Sequence, residues 1–434
     1  METAAQIQSS PTLSRKLRVF IPFALGYFLS YLFRVVNAVI APDLTADLSL
    51  DPSQLGMLTA AYFISFAACQ LPLGILLDRF GPRRIESVLL LFAGAGALFF
   101  AGSESLPGIV FGRVLIGFGV SSCLMAAFKA YVLWFPKEQW PKINGFQMAA
   151  GGLGALTATA PVEAMLSVTD WRGVFSILAV LTLAVSASVF FVVPEKEREP
   201  EARMPETRLW DPLRGIVQVF SSLAFWRVAP LTAASQSAFL SVQGLWSGPW
   251  LRDVALLNRS EIAGVLLLIA AAMVAGFILL GTLAGHLNRK GIDPTKTAVI
   301  GMALFMCLQL VMILEIRSLT VPLWILYGFF GTTGIISYAG LSQQFPQHLT
   351  GRLTTGLNLL VFVSAFAVQW AIGAIIDLWP VGENGNYASA GYRAGFVLML
   401  GFQIISLVWF FLAGKIGRSA NESFPHTDRS PQNP

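Results

Sequence analysis

An all-helical membrane protein of twelve transmembrane helices, arranged as two six-helix bundles with both termini cytoplasmic, is predicted by three observations. The 434 residues are 55% hydrophobic and only 12% charged, with a mean hydropathy of +0.67, too few charges to clothe a soluble surface of this length. Apolar runs of about 20 residues, the length needed to cross a bilayer, recur along the chain. Arg and Lys are distributed asymmetrically between alternate loops.

In chain order the runs fall near 19–41, 54–77, 85–102, 107–133, 143–167, 173–193, 225–248, 261–285, 296–315, 321–345, 353–378 and 393–414. With the N-terminus inside, twenty of the 29 Arg and Lys residues fall in cytoplasmic loops and tails, five in external loops and four within helices. The net charge of +5 follows from that bias and does not argue for nucleic acid, for which no basic-aromatic arm exists. Residues 1–194 form the first bundle and 223–434 the second with a short polar tail. Residues 195–222 form a cytoplasmic linker around PEKEREPEARMPETRLWDP. Leu213, Ile216, Val217 and Phe220 at helical spacing predict a short helix there, either interfacial or simply surface-exposed.

The first run is longer than a signal h-region and contains Arg34, so it is read as a retained helix. Cys69, Cys123 and Cys307 fall in predicted helices and the three histidines are scattered, which offers neither a disulfide framework nor a metal site. No nucleophile elbow or phosphate-cradling glycine loop appears, so neither an enzyme nor a bound cofactor is expected.

The stretch GILLDRFGPRR, Gly74 to Arg84, joins two runs by an acid, a glycine turn and basic residues at headgroup level. GTLAGHLNRKG, Gly281 to Gly291, is a degraded echo that keeps the basic end and loses the acid. GRVLIGFG around Arg113 and AGGLG at 150–154 add small residues that allow close helix contact. The pattern resembles the major facilitator superfamily over essentially the whole chain. That resemblance implies two bundles rocking about a central site, working as a monomer. It also implies a gating set of Asp78, Arg79, Gly81, Arg83, Arg84 and Arg113, with Asp78 facing the start of helix eleven near Arg352 and Thr354.

Charge inside a run marks where a solute is held, because a cation in hydrocarbon costs about 3 kcal/mol and persists where water or a partner offsets that. Arg34 stands past the midpoint of the first run with Tyr27, Tyr31 and Asn37 within a turn or two. YLFRVVNAVIAPDL resembles the anion:cation symporter and organophosphate branches, which hold carboxylate or phosphate with a helix-one arginine. Lys129 is the second candidate cation, or else a snorkelling one. Gln236, Gln243, Tyr338 and Asn358 supply polar groups from the second bundle. Glu163 is the expected proton-coupling acid through partial burial, or alternatively a counterion for Arg113. The reading is a secondary carrier of a small carboxylate-type anion in a bacterial inner membrane, coupled to protons. The alternatives are a proton-coupled efflux antiporter and a transporter-like receptor without flux.

Overall fold

The computed structural model describes residues 13–136, 139–195, 211–346, 349–382 and 385–422, and these form helices with no strand among them. In the first half of the chain lie α1 (Leu13–Val35), α2 (Asn37–Leu48), α3 (Pro52–Phe80), α4 (Pro82–Gly102), α5 (Leu106–Val120), α6 (Cys123–Trp134), α7 (Trp140–Thr157), α8 (Ala160–Leu166) and α9 (Trp171–Val192). In the second lie α10 (Asp211–Phe220), α11 (Leu223–Ser241), α12 (Ser247–Asp253), α13 (Arg259–Arg289), α14 (Pro294–Ile313), α15 (Thr320–Phe330), α16 (Ile336–Ser342), α17 (Thr350–Ile376) and α18 (Ser389–Glu422). Nine helices among the described residues are long and apolar enough to cross a membrane. The three expected runs outside those nine coincide with α3, with the α7/α8 pair interrupted at 158–159, and with α11/α12 joined by a π turn at Val242–Trp246.

Local chemistry explains the boundaries. Asp51 caps α3 and Asn258 caps α13, each in a reciprocal capping box with the residue three positions on, Gln54 and Glu261. These two helices end in the two copies of the hairpin motif, so the internal echo extends to how each begins. Gly81 takes φ of 81°, a left-handed conformation that lets α3 reverse directly into α4 with Pro82 in the first turn. A helix does form at Asp211–Phe220, while most of the expected linker, residues 196–210, lies outside the described residues.

Packing within the first half joins α4 to α5 and α9, and α1 to α7; within the second it joins α11 to α17 and α18, and α13 to α15. The halves meet chiefly where α3 crosses α17, where α13 packs on α7 and α8, and where α2 meets the π turn and α12. Gly56 allows the first crossing, since a Cβ there would fall 3.0 Å from Gln369 O. The π turn carries Trp246, whose Nε1 donates to Gln369 O at 3.0 Å. Ser53 and Trp370 meet at the end of this seam that carries Asp51, and Phe66 meets Phe362 midway along it.

Candidate functional site

Arg34 lies at the middle of the seam. It is 8% exposed, with its guanidinium 4.5 Å from the Tyr31 ring centre, 5.6 Å from Phe66 and 5.3 Å from Phe362. The cation is therefore caged by rings from both halves, α1 and α3 on one side and α17 on the other. Phe66 and Phe362 touch one another with ring centres 4.2 Å apart. Tyr62, Tyr31 and Tyr27 bring phenol groups within electrostatic reach of Arg34. No acid forms an ion pair with it among the described residues, and its Nε is buried without a hydrogen-bond partner. A buried cation held only by π faces and phenols keeps an unmet demand for an anion.

The other expected site residues divide. Tyr338 donates to Asn358 Oδ1 at 2.6 Å, joining α16 to α17, and Tyr338 lies within electrostatic reach of Tyr31. Asn37 does not serve Arg34; its Nδ2 donates to Thr59 Oγ1 at 2.9 Å, and its Oδ1 is unpartnered. Gln236 Nε2 donates to Gly331 O at 3.3 Å, and Gln243 Nε2 reaches Met273 Sδ at 3.2 Å, so both amides bond within the second half. Lys129 is half-buried on α6 and engaged by a neighbour.

Arg113 is 1% exposed, donates from Nη1 to Phe33 O at 3.0 Å, and lies over Phe100 and Phe175. The expected Glu163 counterion is not beside it. Glu163 is at the Asp51 end, where its Oε1 accepts from Arg259 Nε at 2.6 Å. Glu163 is partly buried as expected, and its counterion is Arg259 of the second half rather than Arg113. Arg259 also grips Asp43 with both terminal nitrogens, at 3.0 and 2.6 Å. One guanidinium from α13 thus binds carboxylates on α2 and α8, with all three nitrogens engaged. Nearby, Arg172 and Trp171 donate to Asp47, and the Arg172 hydrogen bond holds that carboxyl below the usual aspartate range.

At the opposite end, Arg83 and Arg84 both bond Glu195, Arg83 also covers Phe190, and Arg79 lies 5.3 Å from the Phe80 ring. The side chain of Asp78 lies outside the described residues. Its expected neighbour Arg352 packs where a Gly215 side chain would be, on α10, and Thr354 Oγ1 turns back to Thr350 O.

Sequence reading passed over Phe66 and Phe362, indistinguishable there from lipid-facing rings, and over the Arg259 grip, whose three residues are far apart in the chain. It also missed Glu86. The expected start of the third run at 85 placed that acid at a headgroup boundary, whereas α4 begins at Pro82 and buries Glu86 completely.

A membrane-embedded helical bundle with a caged cation on the seam between its halves defines a carrier rather than an enzyme. The family model for the Major Facilitator Superfamily matches residues 23–374, and the chain belongs to that family of multi-pass membrane transporters. It is 30% identical over 159 residues to the "Probable sulfoacetate transporter" of Cupriavidus necator, an alignment covering 37% of each chain. It is 24% identical over 386 residues to the "Probable L-galactonate transporter" of Escherichia coli, covering 80% of each. The "Hexuronate transporter" of Bacillus subtilis is 29% identical over 195 residues, or 44% of this chain and 45% of that one. The first relative and the hexuronate carrier are thus matched over less than half of their length. Among solved structures, a bacterial homologue of the human lysosomal transporter Spinster, inward-facing and unoccupied, superposes with a TM-score of 0.74 at 18% identity, over 93% of this chain and 98% of that one. A D-xylose-proton symporter superposes at 0.66 and 16%, over 89% and 97%. At such identities these two likenesses establish the fold.

Proposed function

We propose that this protein is a secondary carrier that moves a small carboxylate-type organic anion across the bacterial inner membrane by alternating access, driven by protons. Two six-helix bundles, residues 1–194 and 223–434, rock about the seam, with both termini cytoplasmic. The observation that carries the reading is Arg34, buried between the halves with no acid against it among the described residues. A carboxylate entering beside it supplies the missing charge and exchanges π contacts for charge-assisted hydrogen bonds. The likeness to carriers named for sulfoacetate, galactonate and hexuronate supports the anion class.

Because Phe362 comes from the second half and covers the same cation, anion binding at Arg34 alters a contact between the halves, which links occupancy to rocking. The loop-charge bias puts the Asp51 end outside. There the Arg259 grip on Asp43 and Glu163 closes the external side. Glu163 then serves as part of that closure, breaking with Asp43 when the external side opens.

The test is uptake of radiolabelled glucuronate into proteoliposomes under an inward proton gradient. Parent protein accumulates the label, and Arg34→Gln lowers the rate about 100-fold, the loss of a charged hydrogen-bonding partner of about 3 kcal/mol. Undiminished uptake by Arg34→Gln would refute the anion site.

A further inference from the structure

α4 opens with Arg83 and Arg84 bonded to Glu195 at the surface, then turns Glu86 into the first-half interior. Glu86 is 0% exposed, and neither of its oxygens has a hydrogen-bond partner. The carboxyl occupies the room left by Gly26. A Cβ on that glycine would overlap Glu86 Oε1 and come 3.8 Å from Cys123 Sγ, so α1, α4 and α6 close around one acid.

Among the described residues, the groups that surround it bring no cation into contact. α6 presents the Cys123 thiol and Tyr131, whose hydroxyl donates to Gln147 Oε1 at 2.7 Å, while Gln147 Nε2 donates to Phe23 O at 3.2 Å. Lys129 stands on another flank of α6, away from Cys123 and Tyr131 by its helical position. α3 brings the Cys69 thiol beside Ser121. α9 brings Ser186, which donates to Ser87 O at 2.7 Å. On α5, Arg113 sits at the level of Phe100, roughly 20 Å along α4 from Glu86 at the rise of a helix. On α1, Arg34 points into its cage on the seam with Tyr31, Phe66 and Phe362. A bare carboxylate at Glu86 would have lost its hydration with only the weak Cys123 thiol donor beside it and no cation in contact among the described residues.

We propose that Glu86 is a proton-binding site gated by the packing of α1 and α6 on α4. The carboxyl holds its proton while these helices are closed. When they part, water reaches the Oε–H group, the bond breaks with its electron pair left on oxygen, and the proton passes to water. The inference uses the proton-driven reading above only for what the proton achieves; the site stands on its own geometry.

The experiment is infrared difference spectroscopy of the full-length protein in lipid nanodiscs, titrated from neutral to alkaline pH in H2O and D2O with no solute present. A protonated-carboxyl stretch is expected in the parent at neutral pH, shifted in D2O and reversibly lost on alkalinisation. It should be absent from Glu86→Gln and moved in frequency in Glu86→Asp, which keeps an acid if the amide variant does not fold. Identical carboxyl bands in parent and variants would overturn the proposal, as would a Glu86 band that persists unchanged at alkaline pH. Since no anion is added, failure of the carboxylate reading at Arg34 leaves this outcome untouched.

Discussion

The interiors of the two halves handle buried ionisable side chains in opposite ways. In the first half the ionisable side chains of Arg34, Glu86 and Arg113 are buried without an opposite charge in contact among the described residues. In the second, several neutral buried groups are matched, since Gln309 and Gln403 exchange amide hydrogen bonds, Tyr338 bonds Asn358 and Tyr327 bonds Ala238 O, while Gln369, Ser235, Ser337 and Trp324 Nε1 are neutral and unpartnered. Its buried acid, Asp253, is satisfied by Arg252, the Tyr392 hydroxyl and the Tyr387 amide. Unmatched charge is expensive in hydrocarbon and is retained where it meets solute, water or a proton, whereas matched amides mainly hold helices together. On the proposed reading, charge chemistry belongs to the first half and the second supplies mainly scaffolding.

The largest effect that would sharpen this contrast separates the two buried arginines. Arg34 lies on the seam, but Arg113 lies inside the first half against Phe33 O, Phe100 and Phe175. In the glucuronate assay Arg34→Gln should lose about 100-fold, and Arg113→Gln should stay within about tenfold of the parent, because its effect passes through packing alone. Equal losses would erase the distinction between a seam cation and a core cation.

Next in size is Gly26→Ala. A methyl group there collides with the Glu86 carboxyl, and overpacking of this kind costs about 1–3 kcal/mol. Thermal unfolding should show the cost in the parent and most of it relieved in a Glu86→Ala background, a coupling that a double-mutant cycle measures. Additive effects would mean that the two positions do not share the space the structure gives them.

How much of this was legible in the chain depends on the range of the interaction. Apolar runs and the Gly81 turn are local, so the helical fold and the reversal between α3 and α4 follow from sequence alone. Arg34 was visible because an ion inside an apolar run stands out in one dimension. Its cage was not, since Phe66 and Phe362 come from α3 and α17 and look like any other ring in such runs. Glu86 was hidden by a boundary, three residues of helix start separating a headgroup acid from a buried one. The partial burial of Glu163 was legible, but its counterion was not, because Arg259 is distant in sequence and no spacing rule reaches that far.

A smaller effect tests the second half. Gln309→Leu should destabilise the protein by about 1 kcal/mol by stranding the Gln403 amide, and the double variant with Gln403→Leu should recover most of that. If the single and double variants unfold alike, the amide pair is not the matched contact on which the comparison between halves rests.

The smallest effect lies at the exposed rim, where charge is paired and wet. Asp47 is held below its ordinary range by the Arg172 hydrogen bond, so the folded protein binds the Asp47 proton less readily than the unfolded chain. The stabilisation from this contact is therefore complete above the ordinary aspartate range, about pH 4, and disappears as the pH falls through the depressed folded-state value. The difference in melting temperature between parent and Asp47→Asn should be flat near neutrality, shrink only in acid, and diminish with added salt because the pair is solvent-screened. A difference that instead grew in acid would reverse the sign of the linkage and place the preferred proton on the folded side. The rim would then behave like the sealed interior around Glu86 rather than in contrast to it.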